Sequence, residues 1–190
     1  RMASITITRQ LPIAYILISS FIIFRFRGCK RGCPTVRELS KIENIIGIKD
    51  EAGINPTQIT DFILATEDIN SEFVIFNGDD IMLLPTVVQG AMGVVSGGAH
   101  IFGHEIRTIL KAFAEGDHDK AKELFVPLYR FCKACGQNGR ILPNSIMRPA
   151  IEMVTGIPIG PCRGPLAPIT EEERKILVDT MGSIGIKVNG

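Results

Sequence analysis

The sequence predicts an α/β fold in which helices pack outside a parallel sheet, followed by a helical C-terminal region. Short apolar runs alternate with amphipathic segments up to about residue 116. The segments between these runs are long enough to carry helical crossovers, and such crossovers make consecutive strands parallel. Beyond residue 116 only helical patterns continue. We therefore predict a βα-repeat region over residues 1–116 and a helical region over residues 117–190.

Composition and charge exclude several classes of protein. Of the 190 residues, 45% are hydrophobic and 22% are charged, which is typical of an ordered globular protein and not of a disordered one. The formal net charge is +1, and the chain has no Trp and only two Tyr to stack on bases. We therefore predict no nucleic-acid partner.

The cysteines predict a reducing, cytoplasmic compartment, because five is an odd number and does not suggest a disulfide framework. Cys29, Cys33, Cys132 and Cys135 could in principle form a four-thiolate zinc site. Zinc ribbons usually hold their ligand pairs much closer in sequence, and the second pair falls in a helical pattern where burial is expected. We predict no metal site.

The apolar run 11–24 is shorter than the roughly 20 residues that a membrane helix needs. It could be the centre of a signal peptide, but the basic stretch 25–31 follows at once and no small-x-small cleavage site is present. We predict a buried strand from Leu11 to about Ile16 and no membrane span. Residues 19–31 fit no element.

From Pro34 onwards the pattern is regular. We predict a strand that ends at Lys49 and further strands at residues 72–77 and 94–98. Asn55 and Pro56 are typical of the cap and the first turn of a helix. The helices are expected at residues 35–41, 55–64, 78–89, 102–115, 117–136, 145–155 and 170–181, the last opening with a capping box.

Lys49 is the most conspicuous chemical group, because an apolar run leads into it without a turn signal. Such a run predicts a strand covered on both faces, and α/β proteins place their chemistry at the carboxyl ends of strands. A lysine held among apolar neighbours can act as an amine nucleophile towards a carbonyl. The alternative is a surface lysine that reaches into water beside Asp50.

Two other groups suggest weaker hypotheses. His100 and His104 are four residues apart, but no third ligand stands at a supporting spacing, so we predict no metal there. Gly97 and Gly98 precede a predicted helix, where they could cradle a phosphate or keep the floor of a pocket clear.

Several short motifs occur in the order and with the separations found in one enzyme family. They are Leu11-Pro12 with Tyr15, Gly47-Ile48-Lys49-Asp50, Gly78-Asp79-Asp80, Gly93-Val94-Val95-Ser96 and Pro168-Ile169-Thr170-Glu171. Together they resemble the dihydrodipicolinate synthase / N-acetylneuraminate lyase family, closely from about residue 35 to 185 and more faintly over residues 11–34. The resemblance implies a partial (β/α)8 (TIM) barrel, comprising about the second half of the strands, followed by the C-terminal helical region.

The resemblance also implies a site. Lys49 would form a Schiff base with pyruvate, and Val95 would offer its backbone to the pyruvate. Tyr15 would relay protons, and Arg25 or Arg27 would receive the carboxylate of the second substrate.

The implied reaction is the condensation of pyruvate with aspartate semialdehyde in lysine biosynthesis, carried out by a homo-oligomer (a dimer or a tetramer) without a cofactor. One alternative is an aldolase for 2-keto-3-deoxy sugar acids, similar to N-acetylneuraminate lyase. Another, from a different class, is a truncated non-catalytic remnant.

Overall fold

A computed structural model describes residues 21–24, 34–51, 53–137 and 143–188. Within these residues four strands form one parallel sheet, in the order of the chain. The strands are β1 (Phe21–Phe24), β2 (Gly47–Asp50), β3 (Val74–Asn77) and β4 (Gly93–Val94). The helices are α1 (Pro34–Leu39), α2 (Gln58–Thr66), α3 (Leu83–Val88), α4 (Ala99–Ala114), α5 (His118–Cys135), α6 (Asn144–Thr155) and α7 (Glu171–Ser183).

The centre of the sheet depends on a glycine. Gly47 pairs with Val74 across β2 and β3, and a Cβ atom on Gly47 would lie 2.5 Å from the carbonyl oxygen of Val74. Real Cβ atoms do not approach so closely, so a larger residue would separate the two strands. Two positions later, Lys49 lies in register between Ile23 and Phe76.

Two hydrophobic clusters form the core. One packs α1 and α2 on the sheet and contains Val36, Ile48, Ile59, Phe62, Phe73, Ile75 and Ala91. The other joins α4 to the helices that follow it, through buried side chains that include Ile109, Phe131, Ile146 and Leu177. The apolar face of α4 therefore packs against the C-terminal helices.

The regular elements confirm most of the sequence predictions. The strands ending near Lys49 and at Asn77 are present. Thr170 and Glu173 form the reciprocal capping box that opens α7. Gly156, with a φ of 70°, ends α6.

Two boundaries differ from the predictions. The helix α2 begins at Gln58 with Thr57 as its cap, because Asn55 instead accepts a hydrogen bond from the Thr57 hydroxyl within a preceding turn. The strand predicted over 94–98 is limited to Gly93–Val94. After the Val95 amide donates to the Asn77 carbonyl at 2.8 Å, the chain leaves the sheet and turns into α4.

One strand among the described residues was not predicted from the sequence. Residues 21–24 form β1, beside β2, in the region that fitted no element. The strand predicted from Leu11 to Ile16 lies outside the described residues. In the described part of the chain, no helix is long and apolar enough to cross a membrane.

Candidate active site

The carboxyl ends of β2, β3 and β4 lie side by side at one edge of the sheet. The register pairs Lys49 with Phe76, and Asn77 with Val94. Val95 follows directly, and its amide bonds to the carbonyl of Asn77. Lys49 and Val95 are 46 residues apart in the sequence (95 − 49). At this edge they lie at the ends of two strands that only β3 separates.

Lys49 is held in a largely buried position. Its side chain is 14% exposed, and its Nζ lies 2.7 Å from Oε2 of Glu51, whose side chain is 44% exposed. The alternative of a surface lysine beside Asp50 is wrong, because Asp50 is itself buried and accepts a hydrogen bond from Nε2 of Gln58 at 2.9 Å. The amine is thus shielded from bulk water but close to a carboxylate that solvent reaches.

Gly78 forms the surface on which the lysine side chain lies. A Cβ atom on Gly78 would lie 2.4 Å from Cε of Lys49, 2.7 Å from the carbonyl oxygen of Asp50 and 3.1 Å from Cβ of Glu51. Asn77 fixes the turn that carries Gly78. Its side-chain amide donates a hydrogen bond to the Asp79 carbonyl and accepts one from the Asp79 amide. Glycine at this position therefore allows Lys49 and Glu51 to adopt their observed placement.

We expect Gly78→Ala to destabilise the fold by about 1–3 kcal/mol, because the added methyl group overpacks a site that includes rigid backbone. Gly103→Ala is the matched control, since a Cβ atom on Gly103 meets no other atom within 4 Å and the residue lies inside α4. That change should stabilise the fold by roughly 0.5–1 kcal/mol, as alanine does in a helix. Urea denaturation of both variants measures the two shifts, and a neutral Gly78→Ala would contradict the packing described.

Asp79 and Asp80 follow Gly78 in the loop after β3. Burial raises the pKa of Asp79, and so do the neighbouring Asp80 and Glu51 carboxylates, while a hydrogen bond from the Ile81 amide and the charge of Lys49 act in the opposite direction. Asp80 accepts a hydrogen bond from the Gly98 amide at 2.7 Å. Its other carboxylate oxygen is buried and has no partner among the described residues.

The contact between Asp80 and Gly98 bears on the phosphate hypothesis for the glycine pair before α4. The carboxylate of Asp80 occupies the position at the Gly98 amide that a phosphate would need. A Cβ atom on Gly98 would lie 2.9 Å from that carboxylate. The glycine therefore keeps space for an internal contact between two loops, and the phosphate hypothesis is wrong for this amide.

The remaining candidate residues of the sequence fall into two groups. Val95 is described; it follows β4 directly, and the residue is 45% exposed. Tyr15, Arg25 and Arg27 lie outside the described residues, so their predicted roles stay predictions.

The cysteines and histidines form no metal centre in the described part of the chain, where no group of three or more His, Cys, Asp or Glu side chains could hold an ion. Cys132 and Cys135 lie in α5, as the helical pattern indicated. Burial raises the pKa of both thiols, that of Cys135 to about 12. Neither thiol is therefore a reactive thiolate at neutral pH.

A cavity of about 850 Å³ lies elsewhere, between the start of α4, α6 and the connection that follows α6. Arg148 and Glu152 of α6 tie that connection down by bonding its backbone at Ile159 and Gly160. Neither Lys49 nor Glu51 lines this cavity. We therefore place the candidate chemistry at the strand edge and not in this cavity.

Sequence reasoning missed Glu51 and the packing role of Gly78. The signal for Glu51 was its spacing, since it stands two residues after Lys49 and alternate residues of an extended chain point to the same side. Gly78 follows β3 whereas Lys49 lies in β2. No pattern of neighbouring residues could therefore indicate that the two are close.

Comparisons with known proteins agree with this architecture. A model of the family described as "Dihydrodipicolinate synthetase family" matches residues 20–184. The 4-hydroxy-tetrahydrodipicolinate synthase of Symbiobacterium thermophilum is 31% identical over 155 residues, which are 80% of this chain and 49% of the relative. That of Caldicellulosiruptor saccharolyticus is 34% identical over 154 residues, covering 81% of this chain and 49% of the relative.

Solved structures give the same result. A dihydrodipicolinate synthase from Bacillus anthracis superposes with a TM-score of 0.69 at 36% identity, over 79% of this chain and 49% of that one. The enzyme from Cyanidioschyzon merolae, solved with lysine bound, has a TM-score of 0.67 at 28% identity, over 80% of this chain and 49% of that one. The chain spans about half the length of the curated relatives it matches. By the extent of these matches, the chain belongs to the dihydrodipicolinate synthetase family.

Proposed function

We propose that this chain carries the Schiff-base lysine of a pyruvate-dependent lyase, and that this lysine is Lys49. The observation that supports the proposal is the position of Lys49 at the carboxyl end of β2, largely buried over Gly78. An amine at such a place can attack the carbonyl of pyruvate to form an iminium, which withdraws electrons from the adjacent methyl carbon. Loss of a proton from that methyl group produces the enamine that attacks an aldehyde. The iminium that the lysine forms is the electron sink, so the proposed reaction needs no cofactor.

Other residues are proposed to act together with this amine. Val95, two strands away from Lys49 at the same edge of the sheet, offers its backbone to the bound pyruvate. Tyr15 relays the proton at the pyruvate carbonyl. Arg25 or Arg27 binds the carboxylate of the aldehyde substrate, since a guanidinium pairs well with that group.

Aspartate semialdehyde is the aldehyde that we propose, which makes the reaction that of 4-hydroxy-tetrahydrodipicolinate synthase in lysine biosynthesis. The support is the name shared by relatives above 30% identity. The lysine bound to the Cyanidioschyzon merolae enzyme is consistent with a place in that pathway. We also propose the cytoplasm as the compartment, in keeping with the free thiols of Cys132, Cys135 and Cys162.

For the fold we propose about half of a (β/α)8 barrel, formed by residues 1–116, with the C-terminal helical region of the family over residues 117–190. The order β1-β2-β3-β4 leaves β1 and β4 as the edges among the described strands. Open edges favour pairing with another chain. We therefore propose a homo-oligomer, a dimer or a tetramer.

Two alternatives remain for the function. The first is an aldolase for 2-keto-3-deoxy sugar acids, similar to N-acetylneuraminate lyase. It remains because Arg25 and Arg27, proposed to bind the second substrate, lie where the family resemblance is fainter. The second is a non-catalytic remnant in which Lys49 persists without a complete site.

Product formation separates these possibilities. The full chain should convert pyruvate and aspartate semialdehyde to a cyclic product that is detected by mass spectrometry. Cleavage of 2-keto-3-deoxy sugar acids to pyruvate, without that condensation, would instead support the first alternative. No product from either reaction, with a folded sample, would support the remnant.

A further inference from the structure

The carboxylate beside the reactive amine belongs to Glu51, which no part of the family resemblance assigned a role. Its Oε2 lies 2.7 Å from Nζ of Lys49. We infer that Glu51 is a catalytic residue that accepts the proton of the Lys49 ammonium and returns it to the departing hydroxyl when the Schiff base forms. This inference rests on the proposed function: Tyr15 relays the proton that reaches the pyruvate carbonyl oxygen, and Glu51 handles the proton that leaves the Lys49 ammonium.

The other carboxylates near Lys49 are less suited to this task. Asp50 is buried and accepts a hydrogen bond from Gln58. Asp79 accepts a hydrogen bond from the Ile81 amide and has a second carboxylate, Asp80, beside it. Glu51 alone among these acids forms an ion pair with the Lys49 ammonium that the structure records within 4 Å.

The surroundings of Glu51 also fit proton transfer. Its side chain is 44% exposed while that of Lys49 is 14% exposed, so the acid can exchange its proton with water while the amine stays shielded. Gly78 leaves room for both, since a Cβ atom there would meet Cε of Lys49 and Cβ of Glu51. A base must lie within hydrogen-bond reach of the proton that it removes, and this distance satisfies the requirement.

Formation of the Schiff base conserves atoms and charge. The Glu51 carboxylate takes one proton from the ammonium, and the nitrogen lone pair bonds to the keto carbon of pyruvate while the carbonyl π electrons move to oxygen. A proton of the attacking nitrogen passes to that oxygen, which produces a neutral carbinolamine. The Glu51 acid then protonates the hydroxyl, the carbon–oxygen bond breaks, water leaves and the lone pair closes the iminium. Glu51 ends as the carboxylate that began the cycle.

The test measures how fast Lys49 is trapped by pyruvate and borohydride in the full chain. Glu51→Gln should slow trapping by about 10²-fold or more, the usual contribution of a positioned proton-transfer group. Glu51→Ala should be equally slow, and added acetate should restore part of the rate because solvent reaches the position of the Glu51 side chain. Glu38→Gln is the matched control, because Glu38 forms an ion pair of similar length with Lys41 on the surface; its trapping rate should equal that of the unaltered chain.

Each outcome distinguishes the inference from the function on which it rests. Trapping in the unaltered chain with an equal or faster rate in Glu51→Gln overturns the role of Glu51 and leaves the proposed function standing. A slow Glu51→Ala that acetate does not restore assigns Glu51 a merely structural role and also overturns the inference. No trapping in the unaltered chain overturns the proposed function, and the inference with it.

Discussion

Lys49→Arg should abolish the exchange of pyruvate methyl hydrogens with deuterated water. This exchange requires the enamine, and the enamine requires an amine that can lose its proton. Arginine keeps the positive charge beside Glu51, but its guanidinium stays protonated and forms no Schiff base. We expect a loss on the order of 10⁴-fold or more, as for removal of other covalent nucleophiles. Proton NMR of pyruvate in deuterated water measures the rate.

Lys41→Arg is the control for that substitution. Lys41 also pairs with a glutamate, Glu38, but both side chains are on the surface. Its exchange rate should match that of the unaltered chain. Exchange that persists in Lys49→Arg at the original rate would mean that another group carries the chemistry.

Phe131→Ala should cause the largest loss of stability, about 3–5 kcal/mol. Phe131 is 0% exposed, and its ring packs against that of Phe102 with centroids 5.3 Å apart. It lies in the cluster that joins α4 to α5, α6 and α7, so truncation opens a cavity where these helices meet. Domains are stable by only about 5–15 kcal/mol in total. Urea denaturation followed by circular dichroism measures the loss.

Tyr129→Ala, two residues earlier in α5, is the matched aromatic control. Tyr129 is 42% exposed, so we expect a change within about 1 kcal/mol. Equal losses for the two variants would show that the cluster around Phe131 does not dominate the stability of the helical region.

The elements that could be predicted were those with complete local signals. The strand before Lys49 and the strand ending at Asn77 each stand between polar segments. The cap of α7 could be predicted because it is formed by Thr170 and Glu173, which contact each other within one turn. In contrast, residues 11–24 are almost uniformly apolar, so nothing in the run indicates which part forms a strand. The observed β1 is positioned by pairing with β2, which is a tertiary effect.

The features of the candidate site also divide into those set by neighbouring residues in the sequence and those set by tertiary contacts. The position of Lys49 at a strand end followed from its own neighbours in sequence. Its burial depends on Gly78, which belongs to the next strand's loop. The sequence suggested Asp50 as the partner of Lys49 because the two are adjacent, whereas successive residues of a strand point to opposite faces. That alternation turns Glu51 towards the amine and leaves Asp50 buried near Gln58.

The central claim, that Lys49 forms a Schiff base with pyruvate, is tested most directly by borohydride reduction and peptide mapping. The full chain is incubated with pyruvate, reduced, digested and analysed by mass spectrometry. We expect one reduced pyruvyl group per chain, located on Lys49 and absent when pyruvate is omitted. A folded chain with no adduct, or with the adduct on a different lysine, would contradict the claim.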